Sequence, residues 1–287
     1  MCTIRQDLDS SVPKNSQLWL FNSVPVLKRA DLLLDKGNKE ELNLENLTIV
    51  HAIGNHYSRR DLKVIQALDE ATGGKKNQHG TLLPTLTLDQ FDSILILAEA
   101  AGEDGDGPSD MEASDSRSLA SLLLVQDLQR EKRIANPKYM DGTWKMCEPI
   151  SEILDTRTRV LLADVEDIGY VLSNQIVSAA IAQIAECRDM NQVLGELLRA
   201  EGCEVHIEPI TNYLDPSKEV ALSFWDVLLL ARQRKHDTPQ GVIAEVAIGY
   251  KSYDKPWGDC EDTLLNPPDK HEKRIWNAKD FLIVIAP

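Results

Sequence analysis

Acidic side chains are the residues of this sequence whose type and spacing most readily suggest chemistry. Asp155 follows the predicted strand 150–154, and three more carboxylates precede the next predicted strand, 169–172: Asp164, Glu166 and Asp167. Carboxylates gathered beside the end of a strand can coordinate a cation, because hard metal ions bind several oxygen ligands. The same residues also suit helix capping and surface charge. Both interpretations stay open, and these four residues are the candidate metal ligands.

A second acidic segment, 103–115, does not fit the pattern of an EF-hand calcium loop. Asp104 and Asp106 suit positions one and three of such a loop, but Pro108 occupies position five and the glycine is misplaced. Charged segments rich in Gly, Ser and Asp are usually solvated. We therefore predict a disordered acidic linker here.

No motif of a known enzyme class is present in the sequence. It contains no G-x-G-x-x-G turn, no P-loop, no G-x-S-x-G elbow and no H-E-x-x-H helix. The five cysteines are far apart and form no C-x-x-C pair, which favours reduced, structural thiols. We predict a protein that is not an enzyme, with no catalytic and no cofactor-binding residues.

The composition limits the classes of partner. The formal net charge is -15, which argues against nucleic acid and against direct docking on an anionic membrane, since both need clustered Lys and Arg. The longest apolar runs, 94–98 and 281–286, are far shorter than the ~20 residues that cross a bilayer. Residues 1–11 carry acids where a signal peptide needs an apolar core. The sequence predicts neither a transmembrane segment nor a signal peptide.

Strand and helix patterns alternate along residues 1–172. Apolar runs predict strands, and apolar residues with a helical period predict helices between them. Such alternation implies crossover connections and a mainly parallel sheet with helices on both faces. The predicted strands are 18–21, 47–53, 93–98, 150–154 and 169–172; the predicted helices are 24–34, 59–68 and 114–128; and two long loops are predicted at 69–89 and 99–115.

Two short amphipathic helices are predicted in the segment 173–201. Their apolar residues recur with the period of a helix and are expected to be buried against another lobe or subunit. Residues 202–287 then show shorter strands and polar turns, which predict a small α+β lobe. The predicted assembly residues are Ile176, Val177, Ile181, Ile184, Val193 and Leu197. The predicted fold is therefore α/β, with a Rossmann-like lobe at 1–172, paired connector helices at 173–201 and a C-terminal lobe at 202–287.

Several segments occur together in an order that resembles one protein family. They are SQLWLFNSVP, FDSILILA, DSRSLASLLL, SEILDTRT, YVLSNQIVSAAIA and KDFLIVIA. This series is similar to the cytosolic gating region of the Castor and Pollux family of plant ion channels, a region built from RCK domains (regulators of K⁺ conductance). The family's Rossmann lobe has a strand and turn before the LWLFN strand, whereas only 15 residues precede SQLWLFN here. The first strand is therefore expected to be missing.

The resemblance implies a regulatory gating module of a cation channel, without the pore. It implies calcium as the sensed ion, other gating-ring subunits or lobes as partners, and the nuclear or a plastid envelope as the location of the parent channel. Two alternatives stay open at this point. One is a free-standing dinucleotide-binding Rossmann enzyme, and the other is an assembly scaffold without ligand sensing.

Overall fold

The computed structural model describes most of the chain in twelve ranges. These are residues 8–9, 11–33, 44–69, 72–76, 79–98, 108–136, 146–162, 169–198, 202–218, 220–238, 241–252 and 263–287. The chain divides into two compact units, 1–185 and 186–287. This division falls inside the segment 173–201 that the sequence analysis assigns to a connector. Each unit is described separately below.

The first unit begins with a parallel strand pair joined by a helix. Strand β1 (Ser16–Asn22) and strand β2 (Leu47–Ile53) are parallel, with Ser16 opposite Leu47 and Asn22 opposite Ile53. Helix α1 (Val26–Leu33) lies between them in the sequence. These three elements agree with the predicted strand, helix and strand. They form the βαβ arrangement that a crossover connection requires.

A buried arginine of α1 fixes this helix to the carboxyl ends of β1 and β2. The Arg29 guanidinium donates to the carbonyl oxygens of Leu20 at 2.8 Å, Asn22 at 3.1 Å and Ala52 at 2.8 Å. The side chain is buried, and burial lowers the pKa of Arg29. The carbonyl oxygens offset the free-energy cost of placing this cation inside the protein.

The next two elements correct the sequence analysis. Helix α2 (Arg59–Lys63) is shorter than predicted, and strand β3 (Ile65–Leu68) follows it. The predicted helix 59–68 is therefore wrong in its second half. Strand β3 is antiparallel to β2, and β4 (Thr85–Leu86) is antiparallel to β3. The sheet order is β1-β2-β3-β4, which is mixed rather than mainly parallel. Strand β4 also lies within the predicted loop 69–89.

A second, fully parallel sheet completes the strands of this unit. It consists of β5 (Ile94–Ile96), β6 (Pro149–Ile153) and β7 (Gly169–Leu172), in the order β5-β6-β7. Helix α3 (Pro108–Ala135) separates β5 from β6, and the short helix α4 (Arg159–Leu162) lies between β6 and β7. The predicted α/β class is confirmed, with parallel strand pairs in both sheets of this unit.

Helix α3 begins six residues before the predicted start at Ser114. Proline suits the first turn of a helix, where its missing N–H costs nothing, and Pro108 is the first residue of α3. Residues 108–113 are therefore helical, and this part of the predicted loop 99–115 is wrong, whereas residues 114 and 115 lie in the predicted helix 114–128; residues 99–107 lie outside the described part. Leu122, Val125 and Leu128 of α3 are buried and pack in the core of the unit.

Two helices follow β7. Helix α5 (Ser173–Glu186) starts directly after the strand, and helix α6 (Met190–Leu197) starts four residues after α5 ends. Neither helix contains a buried residue. Among the described residues, no helix is long and apolar enough to cross a membrane.

The second unit is a small α+β body. The strands of its main sheet are β8 (Glu204–Pro209), β12 (Val246–Lys251), β13 (Thr263–Leu265) and β15 (Phe281–Ala286). This sheet is antiparallel, in the order β13-β12-β15-β8, and helix α7 (Phe224–Ala231) packs on one face of it. The smaller pairs are β9 (Leu222–Ser223) with β14 (Lys273–Arg274), and the hairpin of β10 (Lys235–Thr238) and β11 (Gly241–Ala244).

Candidate functional site

A buried aspartate organises the turn at the carboxyl end of β6. Asp115 of α3 is 1% exposed. One carboxylate oxygen accepts from the Leu154 backbone N–H at 2.8 Å, and the other accepts from the Asp155 N–H at 2.9 Å and the Thr158 hydroxyl at 2.9 Å. Ligands of open α/β sheets commonly bind outside the carboxyl ends of the strands. Asp115 therefore shapes the backbone where a ligand of this sheet is expected.

Asp155, a predicted metal ligand, is held by an arginine. Its carboxylate accepts from the Arg157 backbone N–H at 2.8 Å and from the Arg157 Nε at 2.8 Å. The hydrogen bonds of Arg157 lower the pKa of Asp155. The same guanidinium lies 3.0 Å from Glu112 of α3. A cation that bound Asp155 would have to displace Arg157 from this carboxylate.

The other predicted metal ligands lie outside the described residues: Asp164, Glu166 and Asp167. Within the twelve described ranges, no group of three or more His, Cys, Asp and Glu side chains is arranged to hold a metal ion. The four-residue metal site therefore stays a prediction. Asp115 was not predicted to be a member of this region, because the sequence places it at the end of an acidic linker and in the first turn of the predicted helix 114–128.

The predicted assembly residues lie on helices with open apolar surfaces. Ile176, Val177 and Ile181 of α5 are 55%, 56% and 62% exposed. Val193 of α6 is also exposed, whereas Ile184 and Leu197 are partly buried. Apolar surface of this kind, repeated along one helix, is typical of a protein interface. Assembly through these residues therefore stays a prediction.

A second cluster of ionisable groups lies in the second unit, at the base of the β10–β11 hairpin. The Glu245 side chain is 3% exposed and accepts from the Tyr213 hydroxyl at 2.6 Å, with His236 Nε2 at 2.7 Å and Arg234 Nη1 at 3.4 Å. Burial raises the pKa of Glu245, but the hydrogen bonds from Tyr213 and His236 and the charge of Arg234 outweigh it and lower that pKa. Burial and the bond to Glu245 raise the pKa of Tyr213. The buried carboxylate is thus satisfied from three sides.

No family model matches the sequence. "Probable ion channel CASTOR" from Oryza sativa subsp. japonica is 38% identical over 296 residues, which cover 97% of this chain and 28% of that protein. "Ion channel POLLUX" from Lotus japonicus is 33% identical over 309 residues, which cover 99% of this chain and 29% of that protein. The chain therefore spans less than a third of the length of these relatives.

The fold also has a counterpart among solved structures. The human SLO3 gating ring matches 95% of this chain and 40% of its own chain, with a TM-score of 0.52. The sequence identity is 13%, so this likeness concerns the fold alone. The sequence match, by contrast, takes in nearly all of the chain at 33% to 38% identity. The resemblance drawn from the ordered motifs is confirmed, and the chain belongs to the CASTOR/POLLUX family.

Proposed function

We propose that this chain is a regulatory gating module of a CASTOR/POLLUX-like cation channel. The observation that carries the proposal is the match along almost the whole chain to proteins named ion channels, together with a fold like that of a gating ring. The described residues contain no helix that could form a pore through a membrane. The chain would act on a pore carried by another part of the channel.

A gating module works by binding a ligand or partner more tightly in one conformation than in another. The difference in binding free energy biases the equilibrium between closed and open states. The exposed apolar residues of α5, which include Ile176, Val177 and Ile181, would join the module to neighbouring lobes or subunits of the ring. Assembly through these residues would let several modules change conformation together.

The sensed ligand in this proposal is calcium, bound near the carboxyl end of β6. Asp155 lies there, and the predicted set is completed by Asp164, Glu166 and Asp167. Calcium prefers several carboxylate oxygens, which this set would supply. The parent channel would lie in the nuclear or a plastid envelope, with this module on its soluble face.

A channel chimera tests the regulatory role. The segment of the rice relative that matches this chain is replaced by the chain itself, and single-channel currents are recorded in planar lipid bilayers. We expect the chimera to conduct and its open probability to differ from that of a channel from which the segment is deleted. Equal open probabilities for the chimera and the deletion channel would contradict a gating role.

The assembly scaffold is the second candidate, and the open apolar face of α5 is the observation that favours it. A scaffold would still form rings with the pore but would show no response to calcium. The dinucleotide-binding enzyme is a rival of a different class. Calorimetric titration with NAD(H) and NADP(H) tests it directly, because heat of binding would support the enzyme and a flat titration would exclude it.

A further inference from the structure

A buried histidine of β2 lies beside the buried arginine of α1. His51 and Arg29 are 4% and 3% exposed, respectively. The Nδ1 atom of His51 lies 3.4 Å from the Nη1 atom of Arg29. A guanidinium stays protonated in proteins and can only donate hydrogen bonds. The Nδ1 atom must therefore accept, which places the ring proton of a neutral His51 on Nε2.

His51 is flanked by two strands and contacted by one helix. Strands β1 and β3 place Leu20 and Leu68 directly opposite His51. Neither of these strands contains an ionisable residue. The described ionisable side chains of α1 are Lys28, which is exposed, and Arg29, which is buried. In the described part of the chain, the charge that faces His51 from these elements is thus the positive charge of Arg29.

Arg29 holds α1 on the sheet through carbonyl oxygens. Its Nε donates to the Val24 carbonyl at 2.8 Å, and its terminal nitrogens donate to the carbonyl oxygens of Leu20, Asn22 and Ala52 described above. If the guanidinium moved away, these oxygens would lose a charged donor, which costs more than the loss of neutral hydrogen bonds. The position of Arg29, and with it that of α1, is therefore fixed while these bonds last.

A proton on the Nδ1 atom of His51 is incompatible with this arrangement. It would turn the acceptor into a donor and place a second positive charge beside the guanidinium, across the 3.4 Å contact. Like charges repel strongly where water is excluded, and burial by itself disfavours a charged imidazole. Either the ring or the helix must then move. Both movements undo the contact between β2 and α1.

We propose that His51 and Arg29 form a proton-operated latch between β2 and α1. The latch is closed while His51 is neutral and accepts from Arg29, and a proton on His51 opens it and releases α1 from the carboxyl ends of β1 and β2. The open state binds one proton more than the closed state, so the closed state loses stability as the pH falls. Histidine changes its charge between pH 5 and 8. The latch belongs to the first unit itself and does not depend on the gating role proposed above.

Amide hydrogen exchange of α1 measures the opening of the latch. Peptides that cover residues 24–33 are followed by mass spectrometry at pH 7.5 and pH 5.5, and each exchange rate is divided by the intrinsic rate at that pH. A histidine exposed to water takes up its proton near pH 6.5, so we expect the protection of these amides to fall about tenfold. Peptides from β12 and β15 are the reference and should keep their protection. Equal protection of 24–33 at both pH values would overturn the latch.

Substitution of the histidine assigns the effect to one side chain. The amide oxygen of glutamine can accept from Arg29, but glutamine takes up no proton in this pH range. We therefore expect His51→Gln to keep the same protection of residues 24–33 at pH 5.5 and pH 7.5. A tenfold fall that persists in this variant would overturn the proposal, because another group would then be the one that titrates.

The matched control is a second histidine of the same unit. His56 follows β2, and its ring contacts the Tyr57 ring edge to face, with centroids 4.9 Å apart. His56→Gln makes the same chemical change outside the latch. We expect this variant to lose protection of residues 24–33 at pH 5.5 as the parent chain does. Loss of the pH effect in His56→Gln, with the effect retained in His51→Gln, would assign the titrating group to His56 and overturn the latch.

Nitrogen-15 NMR of the histidine rings tests the latch in the parent chain, even if His51→Gln fails to fold. At pH 7.5 we expect the His51 ring, assigned through its own backbone amide, to be neutral with its proton on Nε2 and an unprotonated Nδ1. On acidification, the protonated ring should appear together with the loss of protection in α1. A charged His51 ring in a chain whose α1 amides stay protected would overturn the latch, because the two cations would then be compatible.

Discussion

At the scale of single residues, the carboxyl end of β6 contains two aspartates with different physical roles. Asp115 is buried and accepts three hydrogen bonds, two of them from backbone N–H groups. Asp155 accepts mainly from Arg157, whose side chain is 73% exposed. A buried carboxylate that satisfies backbone donors contributes far more to stability than an ion pair with an exposed arginine. Asp115 is therefore the structural residue of the pair.

Substitution separates these roles. Asp115→Ala leaves the N–H groups of Leu154 and Asp155 without their acceptor, and we expect the free energy of unfolding to fall by roughly 3 kcal/mol. Arg157→Ala breaks only exposed contacts and should cost well under about 1 kcal/mol. Urea unfolding followed by far-UV circular dichroism measures both values. Similar losses for the two variants would contradict the assignment of Asp115 as the residue that holds this turn.

Glu245 makes a pH-dependent contribution to the second unit. Its pKa in the folded protein is lowered by Tyr213, His236 and Arg234, so its stabilisation is present above the pKa of an unfolded glutamate, about 4.3, and is lost as the pH falls through the lower folded value. Glu245→Gln should therefore lower the melting temperature at pH 7, and the difference from the parent chain should shrink below about pH 4. Calorimetry at pH 7 and below about pH 4 measures the difference in melting temperature between the two proteins. The same difference at both pH values would contradict a pH-dependent contribution of Glu245.

The residues that escaped sequence analysis share one property. The buried face of α3 near its start is polar and small, and its members are Ser114, Asp115, Ser118 and Ser121. Hydrophobic periodicity cannot reveal such a face, because these residues are buried by hydrogen bonding and close packing rather than by hydrophobicity. The position of Asp155 beside a strand end can be predicted from the sequence. The supporting role of Asp115 cannot, because it depends on the contact of α3 with residues 154–158.

At the scale of elements, long periodic segments were predicted well and short ones were not. The segments near Leu18, Leu47 and Phe281 are largely apolar, and all are strands in the structure. The segment 59–68 contains both a five-residue helix and a four-residue strand. Val64 between them is extended, which ends the helix. An apolar run as short as 65–68 is compatible with a helix or a strand, and its pairing with β2 selects the strand.

Helix α5 allows a test in which stability and assembly separate. Ile181 is 62% exposed in the single chain, so Ile181→Asp should hardly change the melting temperature of a monomer. In an assembly it would bury an unpaired charge, which costs several kcal/mol. We expect the variant to elute as a 32.1 kDa species in light scattering behind size exclusion, whereas the parent chain forms larger species.

The control is Gln183→Asp, which adds the same charge at an exposed polar position. An unchanged assembly state in the Ile181 variant would remove α5 from the interface.

At the scale of the whole molecule, the resemblance predicted the family and the α/β class. Local patterns did not predict the mixed first sheet or the division of the strands into two sheets. Strand pairing depends on residues far apart in the sequence, such as Ser16 with Leu47. Periodicity identifies a strand but does not name its neighbour. The missing first strand stays a prediction from the family pattern; among the described residues, β1 and β5 are each the end strand of a separate sheet.

The last prediction at this scale concerns calcium sensing. An ion that binds only the folded chain raises its stability by about 2.7 kcal/mol at a hundredfold excess over Kd, and each kcal/mol raises the melting temperature by roughly 2–4 °C in a chain of this size. We expect millimolar calcium to produce such a shift in differential scanning fluorimetry. Magnesium should produce a smaller one, because it loses water reluctantly and needs stricter geometry.

Three variants locate the calcium site. Neutralising the predicted ligands together, as Asp164→Asn, Glu166→Gln and Asp167→Asn, should abolish the shift. The matched control removes the same three charges from α5, α6 and the turn between them, as Glu186→Gln, Asp189→Asn and Glu196→Gln, and should keep it. Arg157→Ala should increase the shift at subsaturating calcium, because Arg157 competes with the ion for Asp155. If millimolar calcium leaves the melting temperature unchanged, both in the parent chain and in Arg157→Ala, the chain is not a calcium sensor. The assembly scaffold would then be the better description of its function.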